Sequence, residues 1–298
     1  MPKVSIGMPV YNGENFIEAA LRSHREQTFE DWELIICDNA SQDATEEIIK
    51  DFVSLDPRIS YHRNEHNLGA NPNYNKSFVL ASGQYFRWAA HDDVLTPTYL
   101  DGCVRVLDED PSVVLCHSRT KLIDRRGAPL LQLRDAWVDI DGYIEKLHNE
   151  DSTEDGLASD EVSRRVRSVI GGMNTYTEIF GLGRRSAWLN TLLHQAFYGT
   201  DRVLLVEMAL QGKLERTDDD AFLRRCHAGT STRQGDDHGF LKEWSQTATS
   251  MGSYYPARIF LGYIRAIARA DVPLATKLAC EAEVLALLKS PLKVALGR

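Results

Sequence analysis

Asp92 and Asp93 stand side by side just past a short apolar stretch, Gln84 to Trp88, and Thr96-Pro97 follows them. Adjacent carboxylates present hard oxygen ligands suited to Mg2+ or Mn2+. A cation held there would screen a diphosphate and stabilise the charge that develops as it departs from a transferred group. The structural reading is that Asp93 caps a helix near Pro97. Thr96 as N-cap and Pro97 at the first helical position already start that helix well, which favours the chemical reading.

Two more polar clusters end apolar runs in the same way. Pro9-Val10-Tyr11-Asn12 follows Val4 to Met8, and Asp38-Asn39-Ala40-Ser41 follows Trp32 to Cys37. Tyr11 offers a flat ring for a base, and Asp38 or Asn39 an oxygen acceptor for an N–H on the base edge, a combination that suits uracil or thymine. The Asp-Asn-Ala-Ser run is equally good turn chemistry. Asn67, Gly69 and Asn75 lie between a short strand, Ile59 to His62, and the helix around Tyr74 to Leu80. There glycine permits close backbone approach and the amides can bind ribose or sugar hydroxyls, although a turn alone accounts for Asn67 and Gly69.

These clusters converge only if their strands leave one sheet at the same edge. The first hundred residues alternate short apolar runs with amphipathic stretches, the pattern of parallel strands joined by crossover helices. In such a sheet, ligands bind beyond the carboxyl ends of the strands. The expected fold is therefore an α/β, doubly wound, mostly parallel sheet flanked by helices. Val113 to Cys116 resumes the sheet, and the polar stretch Arg134 to Ser168 reads as a mobile surface segment. After Gly239 the chain reads as all helical, with Phe260, Ile264 and Ile267 in one stripe and Leu278, Ala282 and Leu285 in another. Trp88, Trp188 and Trp244 are explained by core packing more simply than by stacking on a sugar.

Among 298 residues, 34 Lys and Arg face 43 Asp and Glu, a net charge of −9. That excludes a general nucleic-acid binder, whose affinity rests on basic residues neutralising phosphates. Five cysteines without short pairings suggest neither a disulfide framework nor a zinc site and point to reduced thiols. No signal peptide is visible, and no apolar run approaches the roughly 18 residues that cross a bilayer. The expected location is cytoplasmic. From Gly252 onward seven basic residues face three acidic ones, so those helices suit peripheral contact with an anionic membrane or, more commonly, packing on the enzyme or in a homo-oligomer. No Gly-x-Gly-x-x-Gly, Walker lysine loop or Gly-x-Ser-x-Gly elbow is present, which weighs against dinucleotide oxidoreductases, P-loop enzymes and α/β-hydrolases.

Taken together, Val4-Ser5-Ile6-Gly7-Met8-Pro9-Val10-Tyr11-Asn12-Gly13-Glu14, Gln27 to Ile36, Asp38-Asn39-Ala40-Ser41-Gln42-Asp43, Asn67-Leu68-Gly69, Asn75 and Ala90-His91-Asp92-Asp93 with Pro97 resemble the family 2 nucleotide-sugar-dependent glycosyltransferases of GT-A fold. The resemblance is dense over about the first 120 residues. It implies that Pro9, Tyr11, Asp38 and Asn39 line the nucleotide pocket and that Asp92 and Asp93 take the part of the metal-binding Asp-x-Asp region. Ala90 stands where many relatives carry the first Asp of that motif, and His91 is assigned a hydrogen-bonding part beside the carboxylates. It further implies an acidic general base in the acceptor half. Asp201, in Tyr198-Gly199-Thr200-Asp201 ahead of a helix, is the candidate, while the helix dipole favours an Asp in a first turn whatever its function. Arg225-Cys226-His227 with Ser231 resembles a late segment in which His lies near metal and diphosphate, making His227 a candidate ligand.

The implied activity is inverting transfer of a sugar from a UDP or dTDP donor to an acceptor hydroxyl, assisted by Mn2+ or Mg2+, in polysaccharide, glycolipid or secondary-metabolite glycoside synthesis. Residues 1–120 would form the nucleotide-sugar half, 121–238 the acceptor half, and 239–298 a C-terminal helical extension. Ala90 motivates a second reading, a non-catalytic nucleotide-sugar-binding or scaffold protein. Nucleotidyl transfer lacks its phosphate loop after the first strand.

Overall fold

The structure, a computed structural model, describes residues 1–133, 136–138, 144–146, 156–172, 176–227 and 255–288. Ser231 and Trp244 lie outside them. In chain order the first half runs β1 (Val4–Val10), α1 (Ile17–Arg25), β2 (Trp32–Asp38), α2 (Thr45–Leu55), β3 (Ile59–Arg63), α3 (Ala70–Val79), β4 (Tyr85–Trp88), β5 (Val94–Leu95), α4 (Tyr99–Glu109) and β6 (Val113–His117). Then follow β7 (Thr120–Ile123), the short strands β8 (Leu131–Leu133), β9 (Ala136–Val138) and β10 (Ile144–Lys146), α5 (Val162–Gly172), a 3-10 turn (Thr177–Phe180), β11 (Leu182–Arg184) and α6 (Arg185–Leu189). The described chain ends with α7 (Thr200–Gln211), β12 (Lys213–Arg216), β13 (Phe222–Arg225), α8 (Tyr255–Arg269) and α9 (Leu274–Leu288).

Seven strands form the main sheet in the order β12-β6-β11-β4-β1-β2-β3. All neighbours are parallel except β11, which runs antiparallel to both β4 and β6. Every residue of β1 is buried because helices cover both faces of a crossover-built sheet, so the strand reads as one apolar run instead of alternating. Pro9 falls beyond the last β1–β4 pair, Gly7 with Trp88, a place that tolerates a residue without an N–H. Two apolar layers lie on the sheet, one with α1, α2 and α4 and the other with α3, α5, α7, α8 and α9. Trp88 and Trp188 are fully buried in the second layer with ring centroids 4.9 Å apart, so both are core residues.

A second sheet, β5-β13-β7, sits beside the end of β4. It corrects the helix start expected at Thr96. Val94 and Leu95 pair with β13, the Thr96 N–H donates to the Ala221 carbonyl, and the Thr96 carbonyl accepts Gln27 Nε2. Sheet pairing thus holds the chain extended, and α4 begins two residues later, with Thr98 flanking it.

The stretch Arg134 to Ser168 is likewise corrected in part. It contains most of α5, whose Val166 and Val169 are fully buried and whose Arg165 donates to the Ala209 and Ser159 carbonyls. Its polar composition conceals an amphipathic helix with a narrow apolar stripe. The stripe Leu278, Ala282 and Leu285 faces outward, and among the described residues of α9 Cys280 and Val284 are the buried ones.

Candidate donor and catalytic site

The carboxyl ends of β1 and β2 make one polar corner. Tyr11 is 38% exposed there. Asn12 and Ala40 both adopt left-handed backbone, with φ of 50° and 64°, so each loop turns sharply toward the other. The Asn12 N–H donates to Ser41 Oγ, the Gly13 N–H to Thr45 Oγ1, and the Gln42 N–H to Asn12 Oδ1. Asp38 is fully buried beneath this corner. Its Oδ1 accepts the Ser41 N–H and hydroxyl, and its Oδ2 accepts Tyr61 Oη at 2.7 Å and Arg63 Nη1 at 2.8 Å. Four protein donors therefore fill the carboxylate's acceptor positions.

Asn39 ties this corner to the turn before α3. Its Nδ2 donates to Asn67 Oδ1 at 2.7 Å and to the Gly69 carbonyl at 3.2 Å, while its Oδ1 accepts Asn64 Nδ2 and the Leu68 N–H. Gly69, at φ 86°, flanks the start of α3 in a conformation that L side chains rarely adopt. Asn64 and Asn73 extend the buried amide network to the Cys37 carbonyl. Pro9, Tyr11, Asp38, Asn39, Asn67 and Gly69 thus belong to one corner of the sheet.

The acidic doublet divides. Asp92 Oδ2 lies 3.0 Å from His227 Nε2, which brings together residues 135 positions apart in sequence. Asp93 is buried, and its Oδ1 accepts the Arg225 N–H at 2.8 Å. Arg225 acts as a strap: Nε donates to the Asp92 carbonyl and Nη1 to the Asp124 and Arg125 carbonyls, while the guanidinium lies over the Phe16 ring. Phe16 also packs on His227, with centroids 4.4 Å apart. Burial and the neighbouring Asp92 charge push the Asp93 carboxyl well above the usual range. Burial pulls Asp92 the same way, but the His227 hydrogen bond and the charges of His91 and His227 outweigh it and hold the carboxyl low. Asp92 stays ionised and Asp93 holds its proton more readily, as expected of adjacent carboxylates.

The donor set tests the implied cation. Among the described residues no group of three or more His, Cys, Asp and Glu side chains could enclose a metal. Asp92 and His227 nevertheless supply one hard oxygen and one imidazole nitrogen, which fits an ion that takes its remaining ligands from phosphate and water.

Asn75 does not sit with the first corner. Its amide joins α3 to the loop before α7, donating to the His194 carbonyl and accepting the His194 N–H. One turn earlier Asn71 Nδ2 donates to the Gln195 and Phe197 carbonyls. This loop leads through Gly199, at φ 79°, into Asp201 in the first turn of α7. Burial raises the Asp201 pKa, opposed by the Arg202 charge. Tyr74 of α3 lies within electrostatic reach of both acidic centres. Burial raises its pKa, and the negative charges of Asp92, Asp93 and Asp201 all act on it. Its ring packs on His194 and Trp88, and both His194 ring nitrogens are buried without a hydrogen-bond partner.

Sequence reasoning missed Tyr74, His194, Arg225 and Phe16. Arg225 belongs to the Arg225-Cys226-His227 segment, Tyr74 adjoins Asn75 and Phe16 lies two residues past Glu14, but sequence reasoning assigns none of the four a role.

A mostly parallel sheet interrupted by one antiparallel strand, with an acid–imidazole pair beyond the carboxyl end of β4, is an α/β architecture of GT-A type. Residues 5–167 match the model of "Glycosyl transferase family 2", and the chain belongs to that family. A GalNAc(5)-diNAcBac-PP-undecaprenol beta-1,3-glucosyltransferase of Campylobacter jejuni is 26% identical over 199 residues, which cover 66% of this chain and 62% of that protein. An uncharacterized glycosyltransferase of Rickettsia prowazekii is 34% identical over 130 residues, 43% of this chain and 40% of that one. The matches thus span less than half the length of several curated relatives.

Among solved structures, S. aureus TarS 1-349 in complex with UDP superposes with a TM-score of 0.62 at 16% identity, covering 95% of this chain and 70% of that one. The mannosyltransferase PcManGT of Pyrobaculum calidifontis in complex with GDP-Man and Mn2+ gives 0.56 at 16% identity, covering 99% and 81%. These similarities establish the fold. Membership of a glycosyltransferase family does not favour the non-catalytic reading.

Proposed function

We propose that this enzyme transfers a sugar with inversion from a uridine or thymidine diphosphate donor to an acceptor hydroxyl, assisted by Mn2+ or Mg2+. The observation that carries the proposal is the pairing of Asp92 with His227, with the half-buried Asp201 near enough that its charge and that of Asp92 both act on Tyr74. In this reading Tyr11 stacks on the base, while Asp38, Asn39, Asn67 and Gly69 shape the pocket around it. Because the Asp38 and Asn39 side chains are already engaged, they act by fixing the β1 and β2 loops. Asp92 and His227 would hold the cation, with Asp93 behind them holding the Arg225 backbone. A bound cation would supply Lewis-acid stabilisation of the leaving diphosphate.

Asp201 is the proposed general base. As the acceptor oxygen attacks the anomeric carbon, its proton passes to the Asp201 carboxylate. The anomeric C–O bond to the diphosphate breaks on the opposite face, giving inversion in one step. Burial raises the proton affinity of this carboxylate, which suits a base. Asn75 and Asn71 hold the loop that carries it.

The complexes of TarS with UDP and UDP-GlcNAc favour a uridine donor, whereas PcManGT was crystallised with GDP-Man. The Campylobacter relative is named for an acceptor on diphospho-undecaprenol, which supports a glycan or glycolipid acceptor here. The buried cysteines suit the proposed cytoplasmic location, and no described helix is long and apolar enough to cross a membrane.

The test pairs a thermal-shift panel of UDP, dTDP and GDP sugars, with and without Mn2+, with transfer assays on Asp201→Asn. A uridine or thymidine donor should raise the melting temperature in a cation-dependent way. The Asn variant should lose transfer by about 10²–10⁴-fold, the range of a general base, while still binding donor. Normal turnover by that variant removes Asp201 from the mechanism.

A further inference from the structure

Helix α9 is apolar on both sides. Its inner side buries Cys280 and Val284 completely, in the core layer shared with α5 and α8. Its outer side is equally apolar: every exposed residue from 274 to 287 is Leu or Ala. Leu274, Leu278 and Leu285 are 72%, 58% and 48% exposed. Ala275, Ala279, Ala282 and Ala286 stand open beside them. At about 100° per residue these side chains share one arc opposite Cys280 and Val284. A helix apolar all round belongs in an interior, and a contiguous exposed apolar patch marks an interaction surface.

We propose that this face is a homodimer interface, with α9 packing antiparallel against α9 of a second copy. Ala275, Leu278, Ala282 and Leu285 follow the three-four-three spacing of a helix–helix seam. A twofold axis at residue 280 sets Ala275 opposite Leu285 of the second copy and Leu278 opposite Ala282. Every large side chain in the seam then meets a small one, which lets the helices approach closely. The whole face offers roughly 500 Å² per copy, so a dimer hides at most about 1,000 Å², the lower bound of a specific interface.

A lipid surface fits this arc less well. Glu281 borders it on one edge and Glu283 on the other, and α9 contains no aromatic residue. Helices that lie on anionic membranes carry Lys and Arg along the polar face and place aromatic residues at the boundary. Glu283 is paired with Arg167, and Glu281 together with the lack of an aromatic boundary disfavours such a surface, whereas the Leu–Ala seam complements itself.

Sedimentation equilibrium of the full chain across the micromolar range should give twice the chain mass of 33.6 kDa. Leu278→Glu should weaken dimerisation more than about 30-fold, the loss of an interface hot spot, and leave transfer activity unchanged. Should that variant misfold, a mixture of Ala275→Cys and Leu285→Cys chains gives a second readout. Oxidation should cross-link the mixture efficiently and neither variant alone. A chain that stays monomeric at 100 micromolar, a dimer indifferent to Leu278→Glu, or a monomer that sediments with phosphatidylglycerol vesicles overturns the proposal.

Discussion

The side-chain amide of Asn75 and the backbone of His194 form a reciprocal pair, with Nδ2 donating to the His194 carbonyl at 2.8 Å and Oδ1 accepting the His194 N–H at 3.0 Å. Asn75 belongs to α3, whose start is tied to the proposed nucleotide corner through Gly69 and Asn39. His194 belongs to the loop that delivers Asp201. One amide therefore does for two distant segments what a pair of ladder hydrogen bonds does for two strands, and it ties the proposed donor corner to the loop of the proposed base.

Asn75→Ala should remove both bonds and leave part-buried backbone groups without them, costing about 1–3 kcal/mol of stability. The sharper expectation is kinetic. Turnover should fall several-fold more than donor affinity, because the corner around Asn39 keeps its own bonds. Initial rates set beside calorimetric donor titration would separate the two effects. Unchanged kcat with a lowered melting temperature would confine Asn75 to a structural part.

Asp201 makes a prediction about pH. A base works only when ionised, and burial lifts this carboxyl above its ordinary value of about 3.9. Activity should therefore fall about tenfold per unit below the raised value, giving an acid limb displaced upward from an ordinary Asp. The positive charge of Arg202 favours the carboxylate. Arg202→Gln removes that charge, raises the pKa further, and should move the acid limb to higher pH. A kcat profile of the two proteins in which the limb stays put or moves down contradicts this electrostatic account.

Three buried histidines link folding to pH. Desolvation lowers His24 and His194 to about 3 and His117 to about 4. The unfolded chain binds these protons near 6.5, so stability is complete above that value and is lost as pH falls from there toward 4. Each contributes about 1.4 kcal/mol per pH unit across that window. His194→Phe removes two unpartnered nitrogens from a pocket already lined by Tyr74 and Trp88. The drop in melting temperature from pH 7.5 to 5 should shrink by that histidine's share. An identical drop in both proteins would mean that His194 is not a neutral buried group.

The first half of the fold was legible because a parallel sheet covered on both faces leaves apolar runs with polar ends. Val4 to Met8, Trp32 to Cys37 and Gln84 to Trp88 announce themselves that way, and Asp38, Asn39 and Asp92 are found past their ends. Long-range pairing is what the linear pattern hides. Nothing near Thr96 signals that Ala221 will draw it into a second sheet, and nothing near Asn75 signals a partner 119 residues later. His194 gave no signal because its importance lies in two rings, Tyr74 and Trp88, that come from other elements. Conversely, Leu278, Ala282 and Leu285 face outward, so an apolar stripe alone does not identify a face packed on the chain's own core.

The divided acidic doublet yields the last prediction, because its two members should respond differently to the same substitution. In Asp93→Asn the amide oxygen can still accept the Arg225 N–H, while the buried like charge beside Asp92 disappears. Folding stability should hold or rise, and Mn2+ should still tighten donor binding. In Asp92→Asn the oxygen facing His227 loses its charge, so cation-dependent donor binding should weaken more than about tenfold. Chelation by EDTA provides the control: it should lower donor affinity in the unmodified protein and in Asp93→Asn, yet change little in Asp92→Asn. If Asp93→Asn instead abolishes the response to Mn2+ as fully as Asp92→Asn does, both carboxylates reach the cation, and the Arg225 strap must release Asp93 when donor binds.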